Sequence, residues 1–205
     1  GDQHNLTDPE SRIMKAGTGF EQSYNGQAVV EVESRLIVGE RVSQAPNDKQ
    51  ELVPTVATVP PVVEEVSTVL TDSGFYSEAA VGKIERTPAG APTGTTVLAA
   101  LDKTSHHRSV ADLEKQPEPD APGPEASVSA VMRHRLQTRR GKQLYQLRQQ
   151  TVEPIFGIIK SVLGFRQFRL RGLAKVSTEW TLVCLAYNLR RLHTLARAQN
   201  LTPAG

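Results

Sequence analysis

Thr151-Val-Glu-Pro-Ile-Phe-Gly-Ile-Ile-Lys160, with Gly164-Phe-Arg-Gln-Phe-Arg-Leu-Arg-Gly172 close behind it, sets a single carboxylate, Glu153, in a strongly cationic stretch. A metal-dependent enzyme acting on a phosphate backbone needs this combination, because the metal requires an anionic ligand and the substrate requires cations. A surface Glu on a basic helix reads equally well from the spacing alone.

Working outward, the charge divides the chain. From Val131 to Gly205 there are fourteen Lys and Arg, and the only acids are Glu153 and Glu179, a formal +12. The whole chain of 205 residues carries 24 bases and 22 acids. Residues 1–130 therefore hold ten bases against twenty acids, a formal −10. An acidic part joined to a basic part predicts that the second part meets a polyanion. Cys184 is the only cysteine, which excludes an internal disulfide and a Cys-rich zinc site; within Leu182-Val-Cys-Leu-Ala186 it reads as a small buried hydrophobe in a reducing compartment. His106 and His107 are adjacent, with no acid or thiol at ligand spacing, and read as loop residues rather than a metal site. No apolar stretch approaches the roughly 20 residues of a membrane span, and no signal-peptide pattern opens the chain. The chain does not start with Met, so Gly1 is expected to be a cut site in a longer protein.

Residues 1–19 are polar, with turn signals at Asp8-Pro9 and Gly17-Thr-Gly19, and predict an irregular lead-in. Residues 20–102 read as strand-rich. Tyr24–Glu33 and Arg35–Ser43 are β-branched runs divided by Ser34 and predict an antiparallel pair. Asn47–Val59 predicts a helix that starts near Asn47-Asp48 and ends at Pro60-Pro61. Ser67–Thr71 predicts a short strand stopping at Asp72-Ser-Gly74, Ser77 caps a helix through about Arg86, and Thr95–Leu101 predicts one more buried strand. Residues 103–130 form a Pro-rich connector around Gln116-Pro-Glu-Pro-Asp-Ala-Pro-Gly-Pro124, too poor in large apolar residues to offset its ordering entropy, so disorder is expected there.

Residues 131–198 read as a basic helical part, with 199–205 a tail. A first helix covers Val131–Thr151 and a second starts or kinks at Pro154, since proline inside a helix costs about 3 kcal/mol. In Gly172–Ala198 the residues Leu173, Val176, Trp180, Val183 and Tyr187 recur at helical spacing, widened by Leu182, Leu185, Leu189 and Leu192, which predicts packing on a core or a partner. A carboxylate at the end of a strand, Asp72, and another on a helix, Glu153, can reach one divalent ion from distant sequence positions; Asp72-Ser-Gly74 is also an ordinary turn.

These motifs have a familiar order. Asn5-Leu-Thr-Asp-Pro-Glu-Ser-Arg-Ile-Met-Lys15, Gly19-Phe-Glu-Gln-Ser-Tyr-Asn-Gly-Gln-Ala28, Leu70-Thr-Asp-Ser-Gly-Phe-Tyr-Ser77, Val152-Glu-Pro-Ile-Phe-Gly157, Gly164-Phe-Arg and Leu170-Arg-Gly-Leu-Ala-Lys-Val176 with Glu179-Trp180 resemble the second half of bacterial insertion-sequence transposases of the DDE type. The resemblance runs through most of residues 5–195 apart from the connector. It implies an α/β, ribonuclease-H-like mixed sheet with flanking helices, here incomplete at the N-terminus because the first strand is missing, and a basic all-helical C-terminal part. In the family two Asp and one Glu hold two magnesium ions, with Mn2+ a possible substitute. The second Asp matches Asp72 and the Glu matches Glu153, both as catalytic residues and as metal ligands. A Tyr and an Arg upstream of the Glu and a Lys downstream match Tyr145, Arg148 and Lys160, with the gap from Arg148 to Glu153 one residue longer than the commonest signature. Glu153 and Lys160 are seven apart and share a helix face, and Gly157 between them leaves room for a phosphate backbone.

The resemblance implies phosphodiester chemistry: one ion activates a water for attack at the element's end, the other stabilises the departing 3′ oxygen, and the freed 3′-OH attacks target DNA. Tyr145, Arg148, Lys160, Arg166, Arg169 and Arg171 are the expected DNA contacts, the last three to phosphates, where they supply affinity rather than sequence choice. Double-stranded DNA at element ends and target, a homodimer in the transposition complex, no membrane, and a bacterial cytoplasmic, nucleoid-associated location are implied. The first catalytic Asp is not in this chain, since Asp8 falls in a turn motif after the strand that would carry it. The chain is therefore expected to be a C-terminal catalytic fragment that does not cut strands by itself. The alternatives are an inactive remnant that only binds DNA, or an interaction piece in which the Gly172–Ala198 helix pairs with another subunit through Trp180.

Overall fold

The β-branched runs around Ser34 do form a hairpin. In the computed structural model, which describes residues 5–16, 19–63, 65–101, 119–123 and 125–200, β3 (Asn25–Val30) and β4 (Ile37–Ser43) pair antiparallel, from Asn25 opposite Ser43 to Val30 opposite Ile37. The strands stop short of the predicted ends because Glu31 organises the turn. Its carboxylate accepts the amides of Glu33 and Ser34 at 2.9 and 2.6 Å, and Arg35 takes a left-handed φ of 57°. Before the hairpin, β1 (Arg12–Ala16) pairs antiparallel with β2 (Gly19–Ser23). A strand thus lies inside the segment expected to be irregular. Its sequence signal is weak because Met14 is buried while Ile13 beside it is 39% exposed, so no alternation of apolar residues marks it.

The helix expected over Asn47–Val59 shrinks to α1 (Leu52–Val56). Asp48, read as part of its cap, is committed elsewhere: its Oδ1 accepts from Asn25 Nδ2 at 2.7 Å and Gln27 Nε2 at 2.8 Å, tying the segment to β3.

The chain divides into two units, residues 1–63 with 151–205 and residues 64–150. In the first, the hairpin packs on α5 (Leu173–Asn200) around Tyr24, Ile37, Val42, Val176, Trp180, Cys184 and Tyr187. Side chains of α5 also grip hairpin backbone. Trp180 Nε1 donates to the Gln27 carbonyl at 2.8 Å, Tyr187 Oη to that of Arg35 at 2.9 Å, and Asn188 brackets Ile37 by accepting its N–H at 2.9 Å and donating to its carbonyl at 2.7 Å. Trp180 is therefore an internal anchor: of the two expected uses of this helix face, a core or a partner, Trp180 serves the core. Cys184 is buried as expected, and burial pushes its thiol up to about 12.

In the second unit, β5 (Thr68–Thr71) and β6 (Thr96–Ala99) pair in parallel and are joined through α2 (Glu78–Glu85). Ser77 caps α2 as predicted, its hydroxyl accepting the Ala80 amide at 3.2 Å. Val81, Val97, Leu98 and Ala99 are buried, and α3 (Val128–Gln137) adds Met132, which is fully buried. Glu85 and Arg135 form an ion pair, with Arg135 Nη2 to Glu85 Oε2 at 3.2 Å, and Glu85 Oε1 also accepts the Val97 amide at 2.9 Å. The described residues thus give a mixed α/β chain of five helices and small two-stranded sheets.

Two differences concern the basic helices. The first predicted helix is broken at Thr138, whose hydroxyl accepts the Gly141 amide at 3.0 Å and starts α4 (Arg139–Ser161). The second does not start at Pro154: α4 runs through it. Pro154 cannot donate to the carbonyl of Gln150, but Ile155 and Ile159, each 1% exposed, bury in the first unit's core directly after it. Burying two Ile side chains stabilises by roughly 3–6 kcal/mol, enough to offset the proline. Residue 102 of the predicted core and residues 103–118 and 124 of the predicted connector, with His106 and His107, lie outside the described residues, as do 201–205 of the tail. Among the described residues no helix is long and apolar enough to cross a membrane.

Candidate catalytic carboxylates and nucleic-acid interface

Three of the predicted site residues come together in the second unit. Asp72 directly follows the last residue of β5, at the carboxyl end of a parallel strand, where open α/β sheets place their ligands. Its Oδ1 accepts the Gly74 amide at 2.9 Å, so the turn reading is also true, and its Oδ2 accepts from Arg148 Nη2 at 3.1 Å. The Asp72 side chain is 45% exposed and that of Arg148 18%. Tyr145 lies one turn before Arg148 on α4. Burial pushes its phenol pKa up; Asp72 adds to the rise and the Arg148 charge opposes it.

The other predicted residues belong to the first unit. Glu153 and Lys160 are both exposed on α4, and a Cβ at Gly157 between them would meet nothing within 4 Å. Behind α4, residues 164–172 form a loop bounded by Gly164 and Gly172, both with left-handed φ, 72° and 82°. Phe165 and Phe168 turn inward. They meet edge to face at 5.4 Å between centroids, and Phe168 meets Trp180 at 6.2 Å. Arg166, Arg169 and Arg171 between them are exposed. With Lys160 they line a cleft of ≈1010 Å³, which is also walled by Ser23, Tyr24, Gly26 and Phe156. Such a surface offers phosphates cations on a fixed frame.

What fixes the frame was not legible as function. Glu179 accepts the Arg169 amide at 3.0 Å on each oxygen and the Leu170 amide at 3.1 Å. At the loop's end Asp8 accepts the Gly172 amide at 3.3 Å and Glu10 the Leu173 amide at 2.9 Å, which caps α5. Asp8 is buried and also accepts the Tyr24 hydroxyl at 2.8 Å. Burial pushes its pKa up, but hydrogen bonds from Tyr24 and the amides of Gly172, Glu10 and Ser11 outweigh burial and hold it below the usual carboxylate value. Only the acids' place inside the quoted motifs hinted at this. Asp8 and Gly172 are 164 positions apart.

Among the described residues the carboxylates fall short of a divalent-ion site by themselves. Both oxygens of Asp72 face N–H donors, and among the described residues no three His, Cys, Asp or Glu gather closely enough to hold an ion.

Residues 122–193 match the family model for the transposase DDE domain. The matched segment contains α3, α4, the arginine loop and most of α5, and it bears out the resemblance to DDE-type transposases; Asp72 lies outside it. No curated protein and no solved structure matches the chain.

Proposed function

We propose that this chain is the C-terminal catalytic portion of a DDE transposase of the bacterial insertion-sequence kind, which cuts and joins DNA strands at element ends. One observation carries the proposal: the segment matching the transposase DDE domain holds Glu153 and Lys160 on one helix and a backbone-clamped loop of three exposed arginines. Lys160, Arg166, Arg169 and Arg171 grip phosphates of double-stranded DNA at element ends and target, Tyr145 and Arg148 add contacts from their own unit, and the sheet belongs to a ribonuclease-H-like core. Asp72 and Glu153 are the catalytic carboxylates. The parallel β5–α2–β6 arrangement, with Asp72 at its strand end, supports that assignment.

DDE transposase domains generally use divalent metal ions. Magnesium, with manganese as substitute, is the proposed ion, and a further carboxylate is needed to complete the ligand set. The parts proposed are a core over 20–102, a connector over 103–130 and a basic helical part over 131–198, in a nucleoid-associated protein of the bacterial cytoplasm.

The test is duplex binding across a salt series and strand nicking with magnesium. The chain should bind duplex with an affinity that falls steeply with salt, and Arg169→Ala should lower the slope of log affinity against log salt by about one. It should not nick DNA. Magnesium-dependent nicking abolished by Glu153→Ala would overturn the expected inactivity of the chain alone, and salt-insensitive binding would overturn the interface.

One observation favours a subunit contact as well. Leu182, Leu185, Leu189 and Leu192 are 48–60% exposed on α5 at alternating three and four spacing. A homodimer through this stripe predicts a concentration-dependent oligomer that Leu185→Lys abolishes, read by analytical ultracentrifugation.

A further inference from the structure

Of the two acids in the basic part, Glu179 sits where electrostatics alone would not place it. It lies under a loop with exposed Arg166, Arg169 and Arg171, where a negative charge repels the polyanion those arginines attract. Its geometry gives it another use. Both carboxylate oxygens point at loop backbone, accepting the Arg169 and Leu170 amides at 3.0–3.1 Å. The loop has few other backbone bonds. Near its start the Phe165 amide donates to the Ile159 carbonyl at 3.1 Å, and near its end the Gly172 amide reaches Asp8. Between these points Glu179 is the clamp, and the glycines at either end, with left-handed φ, are where the loop would swing without it.

We infer that Glu179 is a positioning residue of the phosphate grip: it fixes the backbone of residues 169–170 so that the arginines around it stand ready before DNA arrives. Holding the loop beforehand removes ordering entropy that binding would otherwise have to overcome. The inference rests on the phosphate-binding reading proposed above, and adds that an acid strengthens DNA binding.

That gives a test by sign. Glu179→Ala and Glu179→Gln remove the same charge, so electrostatics alone predicts that both bind duplex more tightly. Positioning predicts that Glu179→Ala binds about three- to tenfold more weakly at every salt concentration with an unchanged salt slope, while Glu179→Gln, which keeps an amide oxygen as acceptor, recovers most of the affinity. Hydrogen exchange read on the peptide 164–173 should speed up in Glu179→Ala and remain near the original rate in Glu179→Gln, with the exchange of β3 and β4 unchanged as the check that the unit stays folded. If the original chain binds duplex and Glu179→Ala binds as well or better, or its loop exchanges no faster, the inference is overturned alone. A chain that binds no duplex overturns the proposed function and this inference with it.

Discussion

The arginine loop of one unit and the ion pairs of the other are held by different means, and the first unit also has an ion pair of its own, Arg41 with Glu51. In the unit of residues 1–63 and 151–205, the arginines stand on a backbone that other groups grip: Glu179 holds the middle of the loop, Asp8 and Glu10 its end, and aromatic rings its underside. In the unit of residues 64–150, charge is held by charge, Asp72 by Arg148 and Glu85 by Arg135, around a small core of α2, α3 and the parallel strands. Backbone clamps leave side chains available to a ligand, whereas ion pairs engage them. The first arrangement suits a surface that meets DNA as it is. The second suits a residue whose charge is quiet until another charge competes for it.

The strongest way to break the comparison is at Trp180. It is 3% exposed, stacks with Phe156 at 6.1 Å and 20°, meets Phe168 edge to face and donates to the Gln27 carbonyl. Trp180→Ala should destabilise its unit by about 3–5 kcal/mol. Cys184, buried and with its thiol raised to about 12, supplies the readout: thiol labelling at neutral pH should be very slow in the original chain and fast in the variant. Equal labelling rates would mean that the ring cluster does not hold this unit together.

Gly141 tests the other unit. A Cβ there would lie 1.7 Å from the Arg135 carbonyl oxygen, which does not yield as a flexible side chain would. Gly141→Ala should force α3 and α4 apart and cost about 1–3 kcal/mol, despite the higher helix propensity of alanine. Urea unfolding followed by hydrogen exchange in β5 and β6 measures it, and a stabilised variant would refute the close approach.

Much of this was legible in the sequence because local chemistry carried it. Ser77 announced its helix, Ser34 marked the hairpin turn, and the β-rich run ending at Asp72 did become a strand with that carboxylate at its end. The errors share a cause, which is that side chains with a familiar local role were taken over by distant partners. Asp48 left its cap for Asn25 and Gln27, and Pro154 stayed in its helix because Ile155 and Ile159 bury beyond it. The candidate site divided along the same line. The cations could be read from their clustering, but the clamps could not, since Glu179, Asp8 and Glu10 act on backbone amides that no sequence pattern names.

Gly157 sharpens the interface by separating stability from binding. The helix around it is regular and the space beside it open, so Gly157→Ala should stabilise the fold by about 0.5–1 kcal/mol through lost backbone freedom in the unfolded chain. If the gap between Glu153 and Lys160 admits a phosphate backbone, the same substitution should weaken duplex binding about two- to fivefold, an effect of well under 1.4 kcal/mol. A thermal melt and a binding isotherm on one sample decide it, and a variant that is more stable and binds equally well would show that the backbone does not approach at this point.

The smallest expected effect is also the most specific to charge held by charge. Burial raises the Tyr145 phenol pKa, Asp72 raises it further and Arg148 pulls it down. A folded pKa above the unfolded value stabilises the fold fully below about pH 10, the ordinary tyrosine value, and that contribution is lost as pH rises through the folded pKa. Arg148→Gln should therefore move the Tyr145 transition to higher pH and extend the window, whereas Asp72→Asn should move it down and shorten it. Tyrosinate absorbance, taken as the difference between each variant and the same variant carrying Tyr145→Phe, isolates this residue from the other three tyrosines. No shift in either variant would mean that burial alone sets the phenol, and shifts in the same direction would mean that Asp72 and Arg148 do not act on it as an opposed pair.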